Sequence, residues 1–350
     1  MMVALPSAAA QYLRRRRQRV LLLGLLALAL LASVALDIAT GPSGMGLGRL
    51  LQILRDPGSV PRVEAVIVWN VRLPYALMAV LVGAALALAG VEMQTVLDNP
   101  LASPFTLGVS AAAAFGAALA IVLGLRLPGV PPAYVVAVNA FVFALASVGL
   151  LYLLAVWRGF GVESLVLFGI ALVFSFNALV ALLQFVASQD SLQQLVFWTM
   201  GSLARASWDK LAILAAVLAL CLPLAWRQSW AMTALSLGED RARSFGLPVG
   251  RMRAGALLRI SLLSGVAVAF VGTIGFVGLV APHIARMLVG EDHRVLLPAS
   301  ALAGALILSM ASVASKTLID GVLVPVGIVT ALVGIPFFMA IVARTRKAAA

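Results

Sequence analysis

The chain has 350 residues, of which 63% are hydrophobic and 11% are charged, and its mean hydropathy is +1.10. Soluble domains carry about 25% charged residues, so this composition excludes a water-soluble globule. The net charge of +12 does not indicate nucleic acid as a partner, because the arginines are dispersed between apolar segments without an aromatic and basic strip. The single cysteine, Cys221, excludes an internal disulfide framework and a thiol metal cluster.

Apolar segments long enough to cross a bilayer recur along the whole chain. A hydrocarbon core about 30 Å thick needs about 20 apolar residues in a helix. The sequence therefore predicts an all-α, polytopic membrane protein. Its apolar windows are 20–37, 66–97, 105–125, 132–157, 164–187, 208–226, 254–290, 295–315 and 322–343.

Both ends of the chain are basic, with Arg14–Arg17 at the start and Arg344, Arg346 and Lys347 at the finish. The positive-inside rule places both ends in the cytoplasm, which requires an even number of crossings. The window 254–290 is too long for one crossing, and "GTIGFVGLVAPH" places glycines and a proline within it. We therefore predict about ten helices, with a cytoplasmic N-terminus at 1–19, one transmembrane domain at 20–343 and a cytoplasmic tail at 344–350.

The distribution of basic residues supports this topology. Of the 25 lysines and arginines, the prediction places 17 on the inner side and 8 on the outer side. The outer residues are Arg49, Arg55, Arg62, Arg72, Arg126, Arg205, Lys210 and Lys316. The inner set includes Arg259, which follows the longest predicted cytoplasmic loop, 227–253.

Residues that could relay protons or bind metal are scarce. A secondary transporter is expected to carry ionisable residues in its spans, but only Glu92 falls inside a predicted span, where we expect it to be hydrogen-bonded near the inner end. His283 and His293 have no Cys or acidic partner at metal-ligand spacing, so we expect structural roles and no metal site. The sequence lacks a phosphate-binding G-x-x-x-x-G-K-[ST] loop, so energy for uphill transport must come from another subunit.

Small residues at helical spacing mark two segments, "VGAALALAG" (82–90) and "LGVSAAAAFGAALA" (107–120). Glycine, alanine and serine let helices approach closely in lipid, where van der Waals packing drives association. These segments therefore predict tight helix packing and no ligand site.

Four segments together carry a resemblance to a known family: "VRLPYALMAVLVGAALALAGVEMQTVLDNPLASPFTLGVS" (71–110), "ALSLGEDRARSFGLPVG" (234–250), "GFVGLVAPHIARMLVGEDHRVLLPASALAGA" (275–305) and "VPVGIVTALVGIPFF" (324–338). The chain resembles, from about residue 66 onward, the FecCD-type permease subunits of the ABC importers for ferric siderophores, haem and vitamin B12, which are type II importers. The resemblance implies ten helices per subunit and a pathway at the interface of two permease subunits.

The resemblance also implies a site for the ATP-hydrolysing partner. In the family, the cytoplasmic loop between helices six and seven forms short coupling helices that dock on that partner. Ala242 and Phe245, three residues apart, suit a groove contact, and Gly246 followed by Pro248 suits a helix end. The matching residues are Leu237, Gly238, Glu239, Asp240, Arg241, Ala242, Phe245, Gly246 and Leu247.

On the outer side, the family's substrate-binding protein docks through carboxylates onto permease arginines. Arg72 matches one such position, and Lys316 stands where the family has arginine, while Tyr75 replaces a second arginine. Lysine meets a carboxylate without the bidentate fork of arginine, and the first outer loop carries Arg49, Arg55 and Arg62, which could compensate. Pathway candidates by resemblance are Met93, Gln94, Ser164 and Asn177.

These observations predict a multi-pass inner-membrane permease that imports an iron chelate by alternating access and is not itself an enzyme. The expected partners are a second permease subunit, two ATP-binding subunits, a substrate-binding protein and the lipid bilayer. No cofactor is expected on this chain, since ATP and Mg²⁺ belong to the partner subunit. Ferric siderophore is the first cargo, haem and vitamin B12 are alternatives, and an ion-coupled secondary transporter and a lipid-modifying membrane enzyme are the rival classes.

Overall fold

The computed structural model describes residues 8–41, 45–158 and 162–348. In these ranges the fold is built from α-helices, and a π-helical segment, Ile67–Arg72, joins α3 to α4. The helices are α1 (Ala8–Ala39), α2 (Leu47–Arg55), α3 (Arg62–Val66), α4 (Leu73–Val96), α5 (Val109–Val122), α6 (Val135–Arg158), α7 (Val162–Val186), α8 (Gln189–Thr199), α9 (Trp208–Arg227), α10 (Ser229–Leu235), α11 (Glu239–Ser244), α12 (Val249–Val271), α13 (Val277–Val289), α14 (His293–Thr317) and α15 (Val326–Ala348).

Seven helical segments in the described part of the chain are long and apolar enough to cross a membrane. They are Arg16–Ala39, Arg62–Val96, Pro132–Leu154, Ser164–Val186, Trp208–Arg227, Val249–Val271 and His293–Thr317. Three shorter apolar helices, Val109–Val122, Val277–Val289 and Val326–Met339, occupy the remaining predicted windows. The predicted inner loop 158–163 and the predicted N-terminal segment 1–19 lie partly outside the described residues. The side chains of Arg344, Arg346 and Lys347 also lie outside them.

The predicted break within 254–290 is confirmed. Helix α12 ends at Val271 and α13 begins at Val277. Gly272 has a φ of 81°, and a Cβ atom there would lie 2.2 Å from the carbonyl oxygen of Trp198. Only glycine fits this backbone conformation and this close approach. The carbonyl oxygen of Thr199 accepts a hydrogen bond from the hydroxyl of Thr273 and so fixes the turn against α8.

Helix α4 lies at the centre of the fold. In its most apolar stretch 83% of the residues are buried, against 17% in α1. It packs against α14, α12, α13 and α9. A helix that is apolar on every side is expected to be surrounded by protein, whereas α1 exposes Leu25, Leu28 and Leu31 to the surroundings.

The contacts of α4 with α13 and α14 depend on glycine. A Cβ atom on Gly83 would lie 2.3 Å from the carbonyl oxygen of Gly304, and one on Gly90 would lie 1.8 Å from that of Gly278. On α5, a Cβ atom at Gly116 would lie 2.4 Å from the carbonyl oxygen of Asn139 in α6. The prediction of tight packing from the small-residue segments is therefore confirmed.

A smaller cluster covers the C-terminal end of α1. Leu50 and Ile53 of α2 pack with Val60 and Val68 around Ile38 of α1. This packing holds the segment 45–66 against the ends of α1 and α4. It therefore fixes the surroundings of Arg72.

Candidate functional site

The predicted coupling element forms a short helix with a defined end. Glu239 and Asp240 lie in the first turn of α11, where negative charge is favoured by the helix dipole. The amide of Gly246 donates to the carbonyl of Arg243 (2.9 Å) and that of Leu247 donates to the carbonyl of Ala242 (3.2 Å). With a φ of 76° at Gly246, these two bonds form a Schellman motif. The predicted helix end at Gly246 is confirmed.

The segment from α10 to Pro248, here called the coupling segment (229–248), exposes three large apolar side chains. Trp230, Leu237 and Phe245 are 57%, 55% and 58% exposed, and the rings of Trp230 and Phe245 lie 6.5 Å apart. Ala242 is fully buried, so the expectation that it shares an outward face with Phe245 is wrong. Its small side chain lets α11 lie against the protein body. Trp230 was not identified from the sequence, because this residue precedes the segment 234–250 that carries the family resemblance.

Glu239 ties the coupling segment to two membrane helices. Its carboxylate accepts hydrogen bonds from Arg243 (2.6 Å) and from Arg253 of α12 (3.0 Å). Arg253 also donates to the carbonyl oxygen of Val96 at the end of α4 (3.0 Å). Burial acts to raise the pKa of Glu239, but the hydrogen bonds from Arg253 and Arg243 lower it overall. Asp240 and Arg241 are exposed.

A buried ion pair lies directly beneath this connection. Nε of Arg259 donates to the Glu92 carboxylate at 2.9 and 3.1 Å, and Nη2 donates to the side chain of Gln228 at 3.1 Å. Gln228 joins α9 to α10. The expectation of a hydrogen-bonded Glu92 is confirmed. The side chain of Arg259, a cation of the predicted inner set, is only 7% exposed. The two residues are 167 positions apart in the sequence, so no local sequence pattern could predict that they form a pair.

His293 makes a third connection between the coupling segment and α4. Its Nε2 lies 2.7 Å from the hydroxyl of Thr95, and its backbone amide donates to the hydroxyl of Thr233 in α10 (3.0 Å). The ring is fully buried. These contacts are those of the structural role that the sequence predicts for this histidine. His283 is half-buried in α13.

The predicted pathway residues divide into two sets. Met93 and Gln94 are buried within the subunit. Nε2 of Gln94 donates to the carbonyl oxygen of Leu279 (3.3 Å), and Oε1 of Gln94 accepts from Nη1 of Arg286 (3.0 Å). Ser164 is half-buried on α7, and Asn177 is exposed near the middle of that helix. Met93 and Gln94 therefore support the fold around α4, while Asn177 belongs to an open face.

The predicted docking cations are engaged inside the subunit. Nη1 of Arg72 donates to the carbonyl oxygens of Ile38 and Ala39, both at 3.0 Å. Nζ of Lys316 lies 2.7 Å from the Asp37 carboxylate and 4.5 Å from the centre of the Tyr75 ring. The two departures from the family pattern, Tyr75 and Lys316, are thus in contact with one another.

Comparison with known proteins agrees with this architecture. Residues 26–344 match the model of the FecCD transport family. The hemin transport system permease protein HmuU of Yersinia pestis is 38% identical, with 80% of this chain and 84% of that protein covered. The vitamin B12 import system permease protein BtuC of Klebsiella pneumoniae is 35% identical (96% and 97% covered), and the molybdate import system permease protein MolB of Haemophilus influenzae is 33% identical (92% and 95%).

A solved structure of a metal-chelate type ABC transporter in an inward-facing conformation has the same fold. It has a TM-score of 0.81 and 32% identity, and it covers 92% of this chain and 98% of its own. The helical architecture and the family match define a multi-pass inner-membrane permease. The chain belongs to the FecCD transport family, whose members are membrane subunits of ABC importers with the ATPase activity in a separate subunit.

The buried pair gives a prediction about stability. We expect Arg259→Met to destabilise the protein by about 3–5 kcal/mol, because it leaves the Glu92 carboxylate buried without a counter-charge. Equilibrium unfolding of the purified protein in mixed micelles measures this effect. Arg227→Met, at an exposed arginine at the end of α9, is the matched control. The double variant Glu92→Leu with Arg259→Met should recover most of the lost unfolding free energy. An Arg259→Met variant as stable as the wild type would contradict the role of the pair.

Proposed function

We propose that this chain is the permease of an importer for a metal chelate, with a ferric siderophore as the first cargo and haem or vitamin B12 as alternatives. Two copies form the pathway at their interface, and two ATP-binding subunits drive it between outward-open and inward-open states. The observation that carries the proposal is the coupling segment, an exposed apolar surface tied by hydrogen bonds to the central helix of a FecCD permease.

The proposed topology has ten crossings with both termini in the cytoplasm. Seven long apolar segments and three shorter ones in the described residues supply that number. The excess of basic residues on the predicted inner side supports the orientation. The coupling segment then faces the cytoplasm, where ATP is available.

The proposed transmission runs from the coupling segment to the last turns of α4. Glu239 reaches Val96 through Arg253, Gln228 reaches Glu92 through Arg259, and Thr233 reaches Thr95 through His293. The three connections end within residues 92–96. Because packed helices move as rigid bodies, a displacement of the coupling segment moves α4 and the helices around it.

The apolar side chains of the coupling segment give a test of ATPase docking. We expect Leu237→Ala with Phe245→Ala to weaken association with the ATP-binding subunit by on the order of tenfold or more, as buried anchors do at interfaces. Co-purification and measured affinity report the effect. Leu123→Ala is the matched control, since this leucine is 60% exposed at the far end of α5. If the double variant binds the ATP-binding subunit as tightly as the wild type does, Leu237 and Phe245 are not part of the docking surface.

We expect Glu239 to hold the coupling segment in place against Arg253 and α4, and not to bind the ATPase directly. Glu239→Gln should leave the permease folded and bound to its ATPase but lower the cargo moved per ATP hydrolysed, because the link to Arg253 and α4 is weakened. A defect in binding alone would count against the transmission route.

The open face of α7 supports a bulky chelate as cargo. It exposes Leu167, Phe174 and Leu182, and with them the polar Asn177. A polar amide near the middle of a span is costly against lipid and is expected to face a partner or a water-filled path. The exposed positions of the described α7 residues carry no charge. A doubly charged oxyanion such as molybdate would gain nothing from this surface.

Transport by the reconstituted complex tests the cargo. Proteoliposomes with the permease, ATPase and binding protein should take up a ferric hydroxamate siderophore labelled with radioactive iron, in an ATP-dependent manner, and should exclude molybdate. Haem and cyanocobalamin are assayed in parallel. Selective uptake of molybdate would contradict the chelate assignment, and uptake by the permease alone without ATP would establish the ion-coupled alternative.

We further propose that the binding protein docks at the outer surface around Arg72 and Lys316. Since both side chains already bond residues at the end of α1, we propose that they hold this end of α1 and the neighbouring segment 45–66 in place. The exposed arginines of that segment, Arg55 and Arg62, then meet the carboxylates of the partner.

Salt dependence separates direct from positional contacts. Arg55→Glu with Arg62→Glu should weaken docking about tenfold at low salt and much less at high salt, since exposed charges are screened within about 10 Å at 0.1 M. Lys316→Met should weaken docking equally at both salt concentrations. Arg227→Glu, on the opposite side of the membrane, is the control. An unchanged affinity of the double variant at low salt would sink this docking model.

A further inference from the structure

A small basic cavity lies at the predicted outer ends of the helices, and none of the roles above uses it. It has a volume of about 190 Å³ and lies between the end of α5, the start of α6, α8 and the end of α12. Its polar lining consists of Gln194, Arg205 and Lys210, and Trp198 forms part of the wall. The rest of the lining is apolar, from Ile121, Ala133, Val136, Ala137, Ala269 and Phe270.

The two cations of this cavity are held in place by the backbone. Nη2 of Arg205 donates to the carbonyl oxygen of Phe197 (3.3 Å), and Nζ of Lys210 donates to the carbonyl oxygen of Arg205 (2.8 Å). These bonds hold the two positive groups in the same cavity wall. Asp209, next to Lys210, is exposed, and among the described residues neither cation forms an ion pair.

One donor of a residue that lines the cavity is buried without a partner. Nη1 of Arg205 is inaccessible to solvent and makes no hydrogen bond within the described part of the chain. An unsatisfied buried donor on a charged group is costly, and an anionic acceptor removes that cost if the guanidinium turns Nη1 toward it on binding. Burial lowers the pKa of Arg205, but a guanidinium stays charged at neutral pH.

We propose that this cavity binds a phosphate group, and that the phosphate is the headgroup phosphodiester of a membrane phospholipid. The fork of Arg205 and the point charge of Lys210 suit phosphate oxygens. The apolar lining suits the glycerol and the first acyl carbons. Tryptophan beside basic residues at helix ends is typical of the membrane interface, where such headgroups lie.

Binding of defined lipids to full-length protein tests the proposal. The protein is purified in a phosphate-free detergent, and affinity for dioleoyl phosphatidylglycerol is measured by native mass spectrometry and by thermal stabilisation. Arg205→Gln with Lys210→Gln should bind this lipid about a hundredfold more weakly, about tenfold for each charge-assisted bond lost. Arg126→Gln, at an exposed arginine beyond the outer end of α5, should bind like wild type.

Two further probes identify the source of the phosphate. Dioleoylglycerol, which lacks phosphate, should not stabilise the wild-type protein. Inorganic phosphate should stabilise it only weakly, and a full effect from inorganic phosphate alone would overturn the lipid assignment while keeping the phosphate site. If the double variant does not fold, Lys210→Gln alone and the charge-conserving Arg205→Lys replace it, each with an intermediate affinity.

Other outcomes would overturn the proposal as a whole. Equal affinity of wild type and folded variants for phosphatidylglycerol would do so, and so would equal stabilisation by dioleoylglycerol. Loss of binding-protein affinity in the variants, with lipid binding unchanged, would instead assign the cations to a carboxylate of that partner. None of these measurements involves the cargo or ATP, so the site stands or fails independently of the proposed function.

Discussion

The close approach of α4 to α13 and α14 is the contact on which the rest of the fold depends. Lipid supplies no hydrophobic drive for helix association, so the gain must come from van der Waals contact at short range. Gly83 against Gly304 and Gly90 against Gly278 bring backbones together without intervening side chains. With α4 enclosed in this way, its C-terminal end becomes the place where groups from several helices meet.

Because α4 is enclosed by other helices, its charged residue Glu92 needs a partner with the opposite charge. A glutamate in the interior of a membrane protein is costly unless a counter-charge and further hydrogen bonds accompany it. Arg259 and Gln228 meet that requirement for Glu92, and in doing so they join α12 and the start of the coupling segment to α4. The bonds that stabilise the buried glutamate are therefore also bonds of the proposed transmission route.

The sequence predicted helices and their ends well, because apolar length, glycine and proline act locally. The break between α12 and α13 and the helix end at Gly246 are examples. Contacts between residues distant in sequence could not be predicted in this way. No local pattern places Arg259 against Glu92 or buries Ala242 while exposing Phe245, since both depend on how the helices pack in three dimensions. The family motif of the coupling segment includes the exposed Leu237 and Phe245 but omits Trp230, which is exposed beside Phe245.

The contact between Lys316 and Tyr75 has a consequence for how this part of the family can diversify. The ammonium lies over the aromatic ring and beside the carboxylate of Asp37. An arginine at position 75 would bring a further cation toward the same carboxylate, and the ring beneath the Lys316 ammonium would be lost. Positions 75 and 316 are therefore expected to change together, so that replacement at one site alters which residues the other site can accept.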